Sequence, residues 1–202
     1  MTCAKTLVVL DFETTGLSPD QGDRAIEIGA VRIEDGVITA RFQELMFPGV
    51  RVSSFIEGYT GITNAMLADA RPCREVMTDF ADFIDGYNLL AHNASFDKRF
   101  LDAELKRINR SYNGDFICSL LVARRIFQNC PNFKLSTLIQ FVNIPSSGQY
   151  HRALYDAEMT TQLWLEILND ISTRAKIDTV PFTLVAKIAK TPKKNVEKLL
   201  AL

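Results

Sequence analysis

The tightest constraint on this chain is an apolar run, Leu7-Val8-Val9-Leu10, that ends on an acid, Asp11, with a second acid, Glu13, two positions on. The run has the length and composition of a buried strand. Side chains alternate across a strand, so Asp11 and Glu13 project from the same face. Two carboxylates side by side at the end of a buried strand repel and are poorly solvated. Such a pair persists where one is protonated or where a cation lies between them. Oxygen ligands with no cysteine nearby suit a hard ion, Mg²⁺ or Mn²⁺, and the chemistry expected of such a site concerns phosphate.

With 202 residues and 47% hydrophobic content, the chain can bury a full core as one domain. The net charge of −1 argues against indiscriminate coating of nucleic acid and places any phosphate-binding field in local patches. Candidates are Lys98/Arg99, Lys106/Arg107/Arg110, Arg124/Arg125 and a tail cluster of Lys187, Lys190, Lys193, Lys194 and Lys198, most of which read singly as solvated helix faces. The run Leu7 to Leu10 is too short to span a bilayer and is followed by acids, so neither a membrane anchor nor a signal peptide is read. Cys3, Cys73, Cys118 and Cys130 lack C-x-x-C spacing, which favours free thiols and a cytoplasmic location.

Strands are expected at Lys5 to Asp11, Ala25 to Glu34 and Val37 to Met46, the last two joined through Asp35-Gly36, a hairpin dipeptide. Helices are expected at Ile62 to Ala68 and Cys73 to Tyr87, then a short strand at Asn88 to Ala91. Ser95 can cap a helix from Phe96 to Ile108. A strand at Asp115 to Cys118 follows, then helices at Leu120–Phe127, Leu135–Val142 and Ala153–Ile171. This order implies an α/β fold, a mixed sheet covered by helices. Residues 172–202 read as a basic amphipathic tail rather than a separate domain, either a docking segment or a satellite helix.

Three motifs occur in order: Asp11-Phe12-Glu13-Thr14-Thr15-Gly16, Asn93-Ala94-Ser95-Phe96-Asp97 and His151-Arg152-Ala153-Leu154-Tyr155-Asp156-Ala157. Together they resemble the motifs of the DEDDh-type, DnaQ-like 3′–5′ exonucleases, which include the proofreading epsilon subunit of bacterial DNA polymerase III. The resemblance extends over about Lys5 to Ile171, and residues 1–171 are expected to form one exonuclease domain. It implies a ribonuclease H-like five-stranded sheet, the antiparallel hairpin strands lying beside two parallel ones.

By motif position, the resemblance implies that Asp11, Glu13 and Asp156 hold one divalent ion. Asp11 then bridges to a second ion, which Asp97 supports. Paired ions of this kind, Mg²⁺ or Mn²⁺, serve in-line displacement at phosphorus. His151 is the implied general base, with an imidazole suited to proton transfer near neutral pH. The chain's two histidines, His92 and His151, each stand five residues before an aspartate, so spacing alone does not separate them. The family position selects His151 and leaves His92 a structural role.

Thr14, Thr15 and Gly16 read as turn formers, while the resemblance implies that the backbone of this segment meets the terminal nucleotide. Leu17 and Phe96 read equally as core residues or as surfaces flanking its base. Asn93 either orients the loop before Asp97 or caps the next helix. Thr60-Gly61-Ile62-Thr63 is similar to a family segment, often H-G-I-T, that lines the nucleotide pocket, with Thr60 in place of the usual His. The partner that the resemblance implies is a nucleic acid 3′ end, single-stranded DNA favoured and RNA the alternative. The tail is open to polymerase docking, self-association or a share in the nucleic-acid groove. A non-catalytic binding module and an endonuclease on the same scaffold are the rival readings.

Overall fold

The computed structural model describes residues 3–146 and 151–201; Leu202, the last residue of the expected tail, lies outside them. The opening apolar run becomes strand β1 (Leu7–Thr14), which continues past its expected end at Asp11 and takes in Glu13. Strands β2 (Ala25–Glu34) and β3 (Val37–Phe47) form the expected hairpin, with Asp35 and Gly36 both at positive φ, 51° and 84°. That is the left-handed pair a tight hairpin turn requires. Strands β4 (Arg71–Pro72), β5 (Leu89–Ala91) and β6 (Phe116–Cys118) complete the sheet, in the order β4-β3-β2-β1-β5-β6.

The mixed sheet is as expected: β1, β2 and β3 are antiparallel, and β1, β5 and β6 are parallel. The strand number is corrected from five to six. The extra strand is two residues long, pairing Arg71 and Pro72 parallel to Met46 and Phe47, too short to carry a sequence period.

The segment after β3 also differs. Helix α1 (Ser54–Thr60) was not expected, and α2 (Asn64–Ala68) starts two residues later than Ile62. Ser53 caps α1, Gly61 ends it at φ 73°, and the Thr63 hydroxyl accepts the Met66 N–H to start α2. Helix α3 (Cys73–Phe83) stops four residues before Tyr87, ahead of the positive-φ Gly86. In α4 (Ser95–Arg107), Ser95 is the first helical residue; Ala94 is the N-cap, and no side chain caps the helix. Helices α5 (Ser119–Ile126), α6 (Leu135–Phe141) and α7 (Ala153–Ala175) follow, then α8 (Phe182–Lys190) and α9 (Val196–Leu200).

Alternation along β1 divides the core. Val8, Leu10 and Phe12 pack with α3 and α4 on one face of the sheet. Leu7 and Val9 pack on the other with α5, α7 and the tail helices. By the same period, Asp11 and Glu13 belong to the α7 face. Gly29 of β2, paired with Asp11, lets α7 approach: a Cβ there would lie 2.0 Å from the Leu154 backbone nitrogen. The tail joins the same core cluster through Phe182, Val185, Ile188, Val196 and Leu200. Trp164 of α7 donates its indole N–H to the Ala4 carbonyl (2.8 Å), and the Ala4 N–H reaches Val180 (3.0 Å). Among the described residues no helix is long and apolar enough to cross a membrane.

Candidate active site

A cavity of about 700 Å³ opens where β1, α1, α4 and the start of α7 meet. Asp11, Glu13, Asp97, His151 and Asp156 all line it, so the three motifs converge. Asp97, 2% exposed, sits in the first turn of α4, and its Oδ1 accepts the Phe12 N–H of β1 (3.1 Å). Asp156, 8% exposed, sits in the first turn of α7, and its Oδ2 accepts the His151 N–H (2.9 Å). His151 makes this turn in the left-handed region, at φ 68°. Ligand atoms of Glu13, His151 and Asp156 lie within 4.8 Å of one another.

The carboxylates lack balancing charge. Burial, then Asp97, Asp156 and Glu13, push the Asp11 carboxyl well above its ordinary range. Glu13 is pushed up to about 8 by burial and by Asp156 and Glu27. Asp97 rises to about 7 because burial outweighs its backbone hydrogen bonds, and Asp156 rises to about 6, mainly through burial. Asp156 Oδ1 is buried with no hydrogen-bond partner among the described residues. An orphaned carboxylate oxygen amid carboxyls whose ionisation is disfavoured fits a site built for hard cations, whose charge would favour the ionised forms.

The two histidines differ in environment. His92 lines the cavity, but its Nδ1 lies 2.9 Å from Ser119 Oγ and its Nε2 2.9 Å from the Phe133 carbonyl. Both ring nitrogens are engaged within the protein wall, the structural role expected of it. The His151 ring packs against Tyr59, 4.0 Å between centroids, and burial lowers its pKa. A neutral imidazole at neutral pH can accept a proton.

The loop after β1 is held by its own hydrogen bonds. Thr14 Oγ1 donates to the Gly16 carbonyl (2.6 Å), and Asp23 accepts from the Thr15 hydroxyl and from the Ser18 N–H (2.9 Å). A Cβ at Gly16 would come within 2.5 Å of the Asp23 carboxylate. The loop lifts Leu17 to the rim, 76% exposed, away from core packing. Phe96 lines the cavity while resting on Phe100, 5.0 Å between centroids. Asn93 lines the cavity at φ 65°; its carbonyl accepts the Phe96 N–H, and its side chain does not cap α4.

Ile62 is corrected: it is fully buried with Ile26, Val52 and Leu67 and does not line the cavity, because Gly61 turns the chain inward before it. Thr60 lines the cavity, but its hydroxyl is taken, donating to the Ile56 carbonyl and accepting the Ile62 N–H. The sequence reading missed two features. One is the aromatic pair Phe55 and Tyr59 of α1, 73% and 51% exposed and stacked at 5.9 Å on the cavity rim; their i, i+4 spacing was the available signal. The other is Glu27, fully buried on β2, which accepts from Arg152 Nη2 (2.8 Å) and the Ala153 N–H (3.1 Å) and so fixes the start of α7.

The exonuclease family model RNase_T matches residues 8–164. The chain is 31% identical over 167 residues to DNA polymerase III subunit epsilon of Aquifex aeolicus, covering 82% of each. It is 37% identical over 164 residues, 81% of its length, to the PolC-type DNA polymerase III of Caldanaerobacter subterraneus subsp. tengcongensis, but spans only 12% of that relative. Among solved structures, exonuclease X in complex with 5′ overhanging duplex DNA superposes with a TM-score of 0.71 at 28% identity, covering 91% of this chain and 99% of that one. With the match reaching from β1 into α7, across all three motifs, the chain belongs to the DnaQ-like, DEDDh-type 3′–5′ exonuclease family.

Proposed function

We propose that this chain hydrolyses phosphodiester bonds from the 3′ end of single-stranded nucleic acid, DNA favoured, releasing nucleoside 5′-monophosphates. The observation that carries the reading is the convergence of Asp11, Glu13, Asp97, His151 and Asp156 on one cavity. Asp11, Glu13 and Asp156 are assigned to one divalent ion, with Asp11 and Asp97 assigned to a second. When bound, two such ions, Mg²⁺ or Mn²⁺, supply positive charge to both the attacking and the leaving side of an in-line displacement at phosphorus. His151, neutral through burial, takes the proton from the attacking water.

The rim positions the end of the strand. Leu17 and Phe96 offer apolar surfaces to the terminal base, and the Thr14–Gly16 backbone and Asn93 border the nucleotide. Stacking of this kind tolerates any base. The DNA preference draws on the relatives, which are DNA polymerase III components, and on exonuclease X, whose structure holds duplex DNA. A polymerase partner is proposed on the same footing.

The test is digestion of 5′-labelled DNA and RNA 20-mers with Mg²⁺, with Mn²⁺ and with EDTA, for wild type and Asp11→Asn. Expected is a ladder shortening from the 3′ end, faster on DNA, that needs metal and is absent from the variant. Cleavage of 3′-blocked or circular strands at the same rate would make the protein an endonuclease. No cleavage of any substrate would make it a binding module.

A further inference from the structure

We infer that Arg124 of α5 and Lys193 of the C-terminal tail form a second phosphate-binding site, which holds the backbone of the nucleic-acid strand upstream of its 3′ end. This rests on the exonuclease reading above and adds a strand path to it.

Both cations lie over one ring. Arg124 Cζ is 5.6 Å and Lys193 Nζ 5.3 Å from the centroid of Phe133. Both side chains are exposed, and neither makes an ion pair among the described residues. Two like charges gathered at one aromatic repel each other, and an anion between them relieves that repulsion. The tail's one acid beyond Asp178, Glu197, is paired with Arg174 on α7 and leaves Lys193 unneutralised. Lys134, next to Phe133 in sequence, and Lys194, next to Lys193, are both exposed and add to the positive charge of these segments.

The patch is held in place. Arg125 Nε donates to the Thr191 carbonyl (2.9 Å), and Gln128 Nε2 donates to the Lys193 carbonyl itself (3.2 Å). The tail backbone is thus fastened to α5 at Thr191 and, two residues past the end of α5, at the residue that carries the charge. The patch also adjoins the cavity. The Phe133 carbonyl accepts from His92 Nε2 at 2.9 Å, and His92 is part of the cavity wall. On this inference the strand whose 3′ end lies among the carboxylates leaves the cavity on the His92 side, towards Phe133 and the two cations. Its chemistry, two cations flanking an aromatic face, is that of a sequence-independent backbone contact.

The experiment compares wild type with the double variant Arg124→Gln/Lys193→Gln. Fluorescence anisotropy in Ca²⁺ measures binding of DNA and RNA 20-mers and of a DNA trimer across a salt series, and digestion in Mg²⁺ is followed in parallel. For single strands each lost phosphate contact lowers the salt slope by about 0.7, so the double variant is expected to lose about 1.4. Its affinity for both 20-mers is expected to fall about tenfold at low salt while trimer binding and trimer kcat hold. Arg124→Lys/Lys193→Arg is expected to retain wild-type binding, which separates charge from folding. An unchanged slope, or an equal loss on trimer and 20-mer, overturns the inference and leaves the patch to a protein partner. Failure of the wild type to digest any oligomer overturns the exonuclease reading instead, while the binding slopes still decide the patch.

Discussion

Glu13 and Glu27 face each other across the β1–β2 ladder, yet only Glu27 is ion-paired, to Arg152. Two neighbouring acids therefore have different fates. Glu27 is enclosed by Arg152, the Ala153 N–H and Gln43 Nε2, and becomes part of the scaffold. Glu13 is pushed up to about 8 despite the Arg152 charge nearby, and it faces the cavity with no ion pair among the described residues. The same Arg152 that neutralises Glu27 is the N-cap of α7, the helix carrying Asp156. One ion pair thus sets the distance between two of the proposed metal ligands.

Breaking that pair tests its positioning role. Arg152→Ala leaves Glu27 buried with its charge unmatched. The expected cost is about 2–3 kcal/mol, below the ~3–5 kcal/mol of a fully buried pair because Arg152 is partly exposed. A urea midpoint measures it. A positioning role further requires that metal-induced stabilisation shrink in the variant. A stable variant with a wild-type metal response would limit Arg152 to the surface.

The raised carboxyls link metal, pH and stability. Glu13, Asp97 and Asp156 titrate near 8, 7 and 6 in the folded chain, against about 4 when unfolded. Above pH ~4 the metal-free native state therefore holds more protons than the unfolded state. Its advantage is complete below that pH and is lost as pH rises through the folded values. In EDTA, Tm is expected to fall between about pH 5 and about pH 8. A bound divalent ion stabilises the ionised forms, so the Tm gain from millimolar Mg²⁺ or Mn²⁺ is expected to grow with pH. A gain that is zero, or equal at every pH, contradicts the assignment of these acids to a metal.

The legible part of the site was the part encoded locally. Asp11 and Glu13 share a face because a strand has period two, and Asp97 and Asp156 each begin a helix. The Glu27–Arg152 pair joins residues 125 positions apart, and nothing local marks Glu27 as more than a charge in an apolar strand. Helix α1 shows no period in the sequence because Gly61 and Thr63 divide residues 54–68 into two helices of seven and five residues. Ser95 looked like a cap but lies one residue inside α4, where the chain enters through Ala94 to bring Asp97 against Phe12. Tail packing depended on Trp164 and the first residues of the chain, a contact between opposite ends.

His151 gives a kinetic prediction. Burial lowers its pKa, so it stays neutral to lower pH than an exposed histidine. The acid limb of kcat is expected below the ordinary value of about 6.5. His151→Gln is expected to lower kcat by ~10²–10⁴-fold and to abolish that limb. His92→Gln is expected to destabilise the protein through its lost contacts to Ser119 and Phe133 while keeping the limb. A limb that survives His151→Gln assigns the proton transfer elsewhere.

Phe55 and Tyr59 separate binding from chemistry at the rim. Phe55 stacks on Tyr59 at 5.9 Å, and Tyr59 packs at a tilt against His151, 4.0 Å between centroids. Phe55 touches only the outer end, so Phe55→Ala is expected to raise KM for oligonucleotides with little change in kcat. Losing one base–aromatic stack is worth ~1–3 kcal/mol, which sets the rise at about 5-fold or more. Tyr59→Ala also frees the imidazole it packs against, so KM and kcat are expected to worsen together. Tyr59→Phe keeps the ring and is expected to restore both, since the packing of ring on ring is what holds His151. Steady-state kinetics on a labelled DNA 20-mer checks all three variants; identical kcat in Tyr59→Ala and wild type would show that the imidazole is held by the left-handed turn and Asp156 alone.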